Sequence, residues 1–375
     1  MKEPAKLLCE LIALPSVNPA FLPAGDPRVG EHRVADFLIA AAARLKLDLE
    51  LQEVTPGRRN VLARLAPAGK PRRRVVLAPH LDTVIANDEQ LRPRLVGGRI
   101  HGRGACDTKG SVAAMFSALA AVAASPRRPH ETEIVFAGLV DEENDQRGSR
   151  TLAASGFKAD LAIVGEPTRL QVVTAHKGDL WLRFETRGKA AHGARPELGR
   201  NAVHAMARLV DLLETTYARA LRRRRHPLLG TASISVGSIA GGTQPNVVPD
   251  HCVMTADRRM LPGETVHGVC RQIRALLLAR GLRATVTNSK GAPCPALETD
   301  PRQPLVRALM DCVGQRQPVG AQYFCDAAVL AGAGTPSVVF GPGDIAQAHT
   351  ADEWINLRSL ERGTSLLTQF LGSLP

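Results

Sequence analysis

The strongest constraint on the fold is a series of short, continuously apolar segments separated by segments with helical periodicity. Runs of β-branched and other apolar residues are typical of strands buried on both faces of a parallel sheet. Strands are predicted over 74–78, 133–140, 161–164 and 336–340, and helices over 29–45 and 109–124. Strands that alternate with helices indicate an α/β fold, in which a mainly parallel sheet carries helices on both faces.

The middle of the chain has a different pattern, because its strands alternate apolar and polar residues. The predicted order is strand, helix, strand, strand, helix, strand, over 180–186, 201–213, 231–239, 252–258, 264–280 and 282–286. This βαββαβ order is typical of ferredoxin-like α+β domains. We therefore predict a discontinuous catalytic, metal-binding domain of residues 1–174 and 289–375, with an inserted domain of residues 175–288.

Imidazole and carboxylate side chains follow the predicted core strands, and one carboxylate precedes the helix at 109. They are His80, Asp82, Asp107, Glu142, Glu143, Glu166 and His349. Ligands of open α/β sheets bind beyond the carboxyl ends of the strands, so we expect these side chains to converge. Any one of them alone would be an ordinary helix cap or solvated polar group. Together, so many carboxylates in one crevice repel one another, which predicts a bound cation.

The ligand types indicate which metal this cation is. Mixed imidazole and carboxylate ligands suit zinc, with cobalt or manganese as substitutes, whereas calcium prefers oxygen ligands alone. One zinc ion needs only three or four protein ligands, so this set is large enough for two ions that share a bridge. Two such ions would activate water and polarise a carbonyl group, and a remaining carboxylate would act as general base. The sequence therefore predicts a hydrolase with two Zn²⁺ per subunit.

The motifs around these residues are APHLDTV at 78–84, GRGACDTKG at 102–110, DEE at 141–143, GEPT at 165–168 and AHTADE at 348–353. They resemble the co-catalytic zinc metallopeptidase family that includes acetylornithine deacetylase, succinyl-diaminopimelate desuccinylase, aminoacylase and glutamate carboxypeptidase. The resemblance extends from about residue 5 to the C-terminus. It implies a zinc-peptidase-like core with the insert as a lid and dimerisation domain.

The resemblance also implies a division of the metal ligands between two sites. His80 and Glu166 would bind one zinc ion, Glu143 and His349 would bind the other, and Asp107 would bridge the two ions.

Two further catalytic roles follow from the same resemblance. Asp82 would hold His80 by a hydrogen bond and fix its tautomer. Glu142 would act as general base and then donate the proton to the leaving amine. Only the resemblance distinguishes Glu142 as base from Glu143 as ligand, because the spacing of adjacent residues does not.

The insert contains further candidate site residues by resemblance. His192, in the segment AAHG at 190–193, would stabilise the oxyanion and reach the active site of the other subunit. Asn246 and Arg259 would bind the substrate carboxylate, since an arginine can hold a carboxylate with two hydrogen bonds. Arg258 is a competing candidate, because the two arginines are adjacent.

The implied function is hydrolysis of the amide bond of an N-acetyl or N-succinyl amino acid or small peptide that has a free carboxylate. The segment from His176 to Asn201 leans toward the deacetylase and desuccinylase branch. A di- or tripeptidase or carboxypeptidase of the same family is the alternative. A paralogue that binds without catalysis is the non-enzyme alternative, and the presence of every metal and acid–base residue favours an enzyme.

Composition limits the other function classes. The net charge is +12, but aromatic residues make up only 3% and no nucleic-acid module is visible, so no nucleic-acid partner is expected. No apolar run spans a bilayer and no signal-peptide core begins the sequence, so we expect a cytoplasmic protein without a membrane partner. The 7 cysteines form no Cys-x-x-Cys pair, which indicates neither disulfides nor a cysteine zinc site. The expected assembly is a homodimer through the insert.

Overall fold

The computed structural model describes residues 3–126, 128–289 and 291–375. The chain forms two compact units. Unit 1 comprises Met1–Thr174, Thr299–Val319 and Cys325–Pro375, and unit 2 comprises Ala175–Glu298 and Gly320–Phe324. The sequence-based division assigns 289–298 to the catalytic domain, whereas these residues belong to unit 2. The reason is backbone pairing, because Leu297 pairs with His176.

The helices are α1 (Glu3–Ile12), α2 (His32–Arg44), α3 (Lys109–Ala123), α4 (Arg147–Ala154), α5 (Ala202–Asp211), α6 (Ala218–Leu221), α7 (Val266–Ala279), α8 (Pro304–Cys312), α9 (Ala327–Gly332) and α10 (Leu357–Gly372). The strands are β1 (Asp48–Thr55), β2 (Arg58–Leu65), β3 (Arg73–Pro79), β4 (Arg94–Val96), β5 (Arg99–His101), β6 (Thr132–Gly138), β7 (Leu161–Gly165), β8 (Val173–His176), β9 (Gly178–Arg187), β10 (Arg225–His226), β11 (Gly230–Thr231), β12 (Ser233–Gly241), β13 (His251–Met260), β14 (Thr285–Asn288), β15 (Leu297–Glu298), β16 (Val319–Ala321), β17 (Ser337–Val339) and β18 (Trp354–Asn356).

The large sheet has the strand order β1-β2-β6-β3-β7-β17-β8-β15. Its central strands β6, β3, β7 and β17 are mutually parallel, and antiparallel strands flank them on both sides. This confirms the predicted α/β class with a mainly parallel central sheet. The antiparallel β1–β2 hairpin was not predicted, because β1 is polar and partly exposed along its length and lacks the apolar signal of a buried strand.

Helix α3 is buried along almost its whole length, as its run of small apolar residues predicts. It packs against α1 and α10. Its first residue, Lys109, is itself buried, and its ammonium group donates to the carbonyls of Leu11 at 2.9 Å and Leu14 at 2.7 Å. A cation at the C-terminus of α1 satisfies carbonyls that the helix leaves unpaired. Burial lowers the pKa of Lys109 to about 7.

The strands of unit 2 form an antiparallel sheet in the order β12-β13-β9-β14. With α5 after β9 and α7 after β13, the predicted ferredoxin-like βαββαβ arrangement is confirmed. Asn201 caps α5 by accepting from His204 N, and Thr265 caps α7 by accepting from Gly268 N. The helix predicted over 201–213 is longer than expected, because a π-helical stretch, Leu212–Tyr217, joins α5 to α6.

No helix in the described part of the chain is long and apolar enough to cross a membrane.

Candidate metal centre

The predicted metal ligands lie just beyond the carboxyl ends of neighbouring parallel strands. His80 follows β3 directly, and Glu166 follows β7 directly. Glu142 and Glu143 follow β6 after a short turn in which Asp141 has a left-handed φ of 69°. Because β6, β3 and β7 are adjacent and parallel, these side chains meet at one edge of the sheet.

Asp107 lies between the two histidines, and each of its carboxylate oxygens faces a different histidine. His80 Nε2 is 3.1 Å from Asp107 Oδ1, and His349 Nε2 is 3.3 Å from Asp107 Oδ2. His349 Nε2 is also 3.1 Å from Glu143 Oε2. Asp107 is not a helix cap, since Thr108 occupies that position and its hydroxyl donates to Gly165 O at 2.8 Å. The carboxylate therefore has the geometry of a bridge between two histidine-bearing sites.

The tautomer of His80 can be inferred from its partners. Its Nδ1 lies 3.0 Å from the backbone oxygen of Asp82, which can only accept, so Nδ1 carries the proton. The Nε2 atom then directs a lone pair at carboxylate oxygens, at 3.1 Å from Asp107 Oδ1 and 3.8 Å from Glu166 Oε1. A lone pair facing carboxylates is favourable only if a proton or a metal ion lies between them.

Two buried carboxylate oxygens of the centre lack hydrogen-bond partners in the part of the chain that the structure describes. Glu143 Oε1 and Glu166 Oε1 have no hydrogen-bond partner among the described residues. Burial raises the pKa of Glu142 and Glu166 well above the usual range, and it raises the pKa of Glu143 to about 7. The negative charge of neighbouring carboxylates contributes to each of these raised pKa values. A cation would remove this repulsion.

Two overlapping sets of side chains have ligand atoms within 4.8 Å of one another, namely His80, Asp107 and Glu143, and His80, Glu142 and Glu166. Nitrogen and carboxylate oxygen donors of this kind suit zinc and its divalent substitutes. The residues present therefore fit a divalent metal. The two sets do not by themselves separate Glu142 from Glu143 as ligand, but Glu143 alone of the two also contacts His349 in the described structure.

Asp82 connects His80 to the two adjacent glutamates. Its Oδ1 lies 3.4 Å from His80 Nδ1 and accepts from Glu142 N at 3.1 Å, while its Oδ2 accepts from Glu143 N at 3.1 Å. Asn18 donates to Asp82 at 2.7 Å and to Asp141 at 3.0 Å. Sequence reasoning missed Asn18, because its partners lie 64 and 123 residues away in the chain and no local pattern connects them.

An ion-pair cluster supports the turn that carries the glutamates. Arg58 Nη1 is 2.9 Å from Asp141 Oδ1, and Arg58 Nη2 is 2.5 Å from Glu31 Oε1. Glu31 also accepts from Asp141 N at 3.1 Å. Glu31 and Asp141 are nearly inaccessible to solvent, so each carboxylate needs the arginine as a partner.

Glu353 holds the loop that presents Asp107. Its Oε1 accepts from Cys106 N at 2.8 Å and Asp107 N at 2.9 Å, and its Oε2 accepts from Gly104 N at 3.0 Å and Arg103 Nη1 at 2.8 Å. The carboxylate is almost fully buried. Glu353 lies in the same motif as His349, so a single segment supplies one ligand and fixes the loop of another. Glu353 is part of the motif AHTADE at 348–353, but the sequence analysis does not predict its role.

Asp326 is a further buried carboxylate near the centre. Its Oδ1 accepts from Ser149 Oγ at 2.5 Å, and burial raises its pKa to about 6. The negative charges of Asp326 and Glu142 influence each other, because Asp326 contributes to the raised pKa of Glu142. Asp326 thus adds to the negative field of the site.

In unit 2, the structure brings His192 and Asn246 together. His192 forms a bridge with Val247, and Gly193 N donates to Asn246 O at 2.7 Å. A Cβ atom at Gly193 would lie 2.9 Å from Asn246 O, so the close approach requires glycine. The exposed His192 accepts from Ala194 N at Nδ1, at 3.1 Å, so its neutral form has the proton on Nε2, where it can donate.

The two adjacent arginines have different environments. Arg258 is fully buried, its Nη2 is 2.6 Å from Glu264 Oε1, and its Nε donates to the Tyr217 hydroxyl at 3.2 Å. Arg259 is 30% exposed and donates to Asp257 through Nε at 2.8 Å and Nη2 at 3.0 Å. Arg258 is therefore part of the core of unit 2, and Arg259 is the arginine that retains an accessible donor edge.

Arg259 and Asn246 lie near opposite ends of β13 within one copy of unit 2. Arg259 pairs with Asp179 at one end of the β13–β9 ladder. The ladder continues beyond β13 through Val248 N to Ala191 O, and then to the bridge of His192 with Val247. If it were extended throughout, the stretch from 247 to 259 would span roughly 40 Å at about 3.4 Å per residue.

The comparisons with known proteins give the family. A sequence profile of peptidase family M20/M25/M40 matches residues 76–373. The chain belongs to this family.

Relatives of this family member include enzymes with different substrates. Acetylornithine deacetylase of Vibrio cholerae serotype O1 is 28% identical over 354 residues, which cover 90% of this chain and 89% of that protein. A tripeptidase structure from Staphylococcus aureus aligns with a TM-score of 0.79 at 19% identity, covering 99% of this chain and 97% of that one. A dinuclear metal-binding M20 peptidase from Bacillus subtilis aligns at 0.71 and 13%, covering 98% and 96%.

We expect Glu353→Gln to weaken metal binding in this M20/M25/M40 family member. The amide nitrogen would face N–H donors, so the Asp107 loop would lose at least one acceptor. Substitution of a residue that holds a metal ligand in place typically lowers metal affinity about 10–100-fold. Zinc affinity measured by chelator competition tests the effect, with exposed Asp352→Asn as the adjacent control. Unchanged zinc affinity in Glu353→Gln would contradict the proposed support.

Substitution of Arg258 and Arg259 in turn tests how differently the two arginines contribute to the stability of the protein. Arg258→Ala leaves Glu264 without its ion-pair partner and should lower the free energy of unfolding by about 3–5 kcal/mol. Arg259→Ala removes a partly exposed pair and should cost about 1 kcal/mol or less. Urea unfolding followed by circular dichroism compares the two variants. Similar losses for both would show that the two environments differ less than the burial indicates.

Proposed function

We propose that this chain is a metal-dependent hydrolase that cleaves the amide bond of N-acetyl or N-succinyl amino acids. The observation that carries the proposal is the position of Asp107. Its Oδ1 lies 3.1 Å from His80 Nε2, and its Oδ2 lies 3.3 Å from His349 Nε2. A carboxylate shared in this way suits a pair of divalent ions. The 28% identity to an acetylornithine deacetylase along 90% of the chain supports the acyl-amino-acid substrate class.

The proposed division of the metal ligands is the one that the family resemblance implies, and the contact of His349 with Glu143 supports it. His80 and Glu166 would hold one ion, Glu143 and His349 the other, and Asp107 would bridge them. Zinc is the ion that this donor set favours, with cobalt or manganese as substitutes. When bound, such ions polarise the substrate carbonyl and lower the pKa of water.

Glu142 is the proposed general base. It is buried, and its carboxylate takes part in no hydrogen bond or ion pair that the described structure records, so both carboxylate oxygens are available. Glu142 would take a proton as the water oxygen adds to the carbonyl carbon. It would return that proton to the amide nitrogen as the C–N bond breaks, which releases the carboxylic acid and the amine. Asp82 would position this base, because it accepts from Glu142 N.

Arg259 is the proposed group that binds the free carboxylate of the substrate. Its guanidinium is held by Asp257 through Nε and Nη2, which leaves Nη1 for a ligand. An arginine fixed in this way loses little side-chain entropy when it binds a carboxylate. Arg258 is not proposed for this role, because Glu264 and Tyr217 occupy its guanidinium in the core.

A di- or tripeptidase or carboxypeptidase of the same family is the alternative. The similarity to the tripeptidase fold supports this alternative no further than the fold itself, because the identity is only 19%. The two functions share the metal chemistry and differ in the group on the acyl side of the amide bond.

A substrate panel tests the proposed function. We expect amine release from N-acetyl and N-succinyl amino acids to exceed that from dipeptides and tripeptides. Prolonged chelation should abolish activity, and zinc or cobalt should restore it. Glu142→Gln should lower turnover by about 10²–10⁴-fold with metal content intact. Full activity of a demonstrably metal-free preparation would refute the metal-dependent mechanism, and faster peptide hydrolysis would favour the alternative.

We also infer that the protein acts as a homodimer through unit 2, with His192 serving the site of the partner subunit as an oxyanion donor. The support is the position of Val247, which pairs with His192, and of Arg259 near opposite ends of β13, up to roughly 40 Å apart in an extended chain. An acylated amino acid held by Arg259 is too short to reach His192 of the same chain. Strand β12 is an edge strand with Ile239 51% exposed, which offers a pairing surface for a second copy.

Subunit mixing tests this arrangement. Glu142→Gln and His192→Ala proteins should each be weakly active, since an oxyanion donor is worth roughly 3–4 kcal/mol. After subunit exchange, a mixed dimer contains one site that lacks both groups and one intact site, so activity should reappear. If His192 acts within its own chain, every site lacks one group and mixing recovers nothing. Absence of recovery despite demonstrated exchange would rule out the trans arrangement.

A further inference from the structure

Unit 2 contains a groove of about 690 Å³ between α5 and α7, which none of the proposed catalytic residues lines. The ends of β9 and β14 contribute Glu185, Arg187 and Thr285, and the helices contribute residues such as Arg208 and Arg274. Its size lies within the range of pockets that bind small organic ligands. The groove lies toward β14, whereas β12, the strand proposed for dimerisation, is the opposite edge of the same sheet.

The charge of the groove is strongly one-sided. The lining arginines are Arg187, Arg200, Arg208, Arg274 and Arg283, and the one acidic lining residue is Glu185. Glu185 is already engaged, because it contacts Arg187 and lies 2.9 Å from His251 Nε2. Arg208 and Arg283 have no acidic partner within 4.0 Å among the residues the structure describes, and both are exposed. Their donors are therefore available to an anion from solution.

Apolar surface adjoins these arginines. Leu277, Leu278, Leu282 and Ala284 line the same groove, and Leu278 is 81% exposed. Contact between this exposed leucine and an apolar part of a ligand would be favourable, because it removes apolar surface from water. The groove thus offers guanidinium groups and an aliphatic surface together.

We propose that this groove binds a small organic phosphate whose apolar portion packs against the leucines. The several arginines and the single, already paired glutamate give the groove an excess of positive charge. A phosphate complements this excess, because it carries more than one negative charge on one centre and accepts paired hydrogen bonds from arginine. The aliphatic surface favours a phosphate ester with an apolar body over inorganic phosphate. This site is independent of the amide hydrolysis proposed above.

Binding to ADP, inorganic phosphate and adenosine tests the proposal, measured by calorimetry on the metal-loaded protein at low salt. ADP should bind more tightly than phosphate, and adenosine should bind weakly. In Arg208→Ala/Arg283→Ala the Kd of ADP should rise at least about tenfold, because two charge-assisted contacts are lost. Leu278→Ser should weaken ADP binding and leave phosphate binding unchanged. All three substituted side chains are exposed, so the fold should be retained.

The control is Arg222→Ala/Arg223→Ala, which makes the same change in net charge at exposed positions outside the groove. Any ADP bound at the metal centre contributes equally to control and groove variants, so only the difference between them reports on the groove. Retained ADP affinity in the control supports the site. An equal loss in both double variants would mean non-specific attraction, and absent ADP binding, or binding of a polyglutamate peptide in preference to ADP, would overturn the proposal.

Discussion

Repulsion among buried carboxylates is the interaction around which unit 1 is organised. Asp107, Glu142, Glu143 and Glu166 meet at the ends of parallel strands, where solvent does not screen their charges. Burial and mutual repulsion favour the neutral acids of the three glutamates, as their raised pKa values show. Two histidines beside Asp107 offset only part of this charge. The arrangement is therefore incomplete without a cation, and the parallel sheet creates that requirement by directing its strand ends to one edge.

The surrounding residues prevent the carboxylates from moving apart. Asp82 accepts from both Glu142 N and Glu143 N, Glu353 accepts from three backbone donors of the Asp107 loop, and Asn18 joins Asp82 to Asp141. The contacts of Asp82 and Glu353 fix the backbone of the segments that carry Glu142, Glu143 and Asp107, so these segments cannot move apart to relieve the repulsion. Such preorganisation keeps the site ready for a metal, and it leaves the metal-free protein with unrelieved electrostatic strain.

The sequence was sufficient for the central sheet, the βαββαβ insert and the residues that converge at the strand ends, because each has a local pattern. Apolar runs indicate buried strands, and a polar residue directly after such a run indicates the active edge. The supporting residues lack such a pattern. Glu31, Arg58 and Asn18 act through partners far along the chain, and the polar strand β1 has no apolar run. The separation of Asn246 from Arg259 depended on the register of β13, which composition does not encode.

Metal binding and folding should be strongly coupled in this chain. The candidate ligands extend from His80 to His349, so an unfolded chain cannot gather them, and a metal that binds only the folded state stabilises it by mass action. The coupling is strengthened by Glu353, which joins the His349 segment to the Asp107 loop across 246 residues of sequence. Loss of the Glu353 carboxylate would therefore disconnect the His349 segment from the Asp107 loop, even with every metal ligand still present. The hydrogen bonds of Glu353 thus connect the stability of unit 1 to its occupancy by metal.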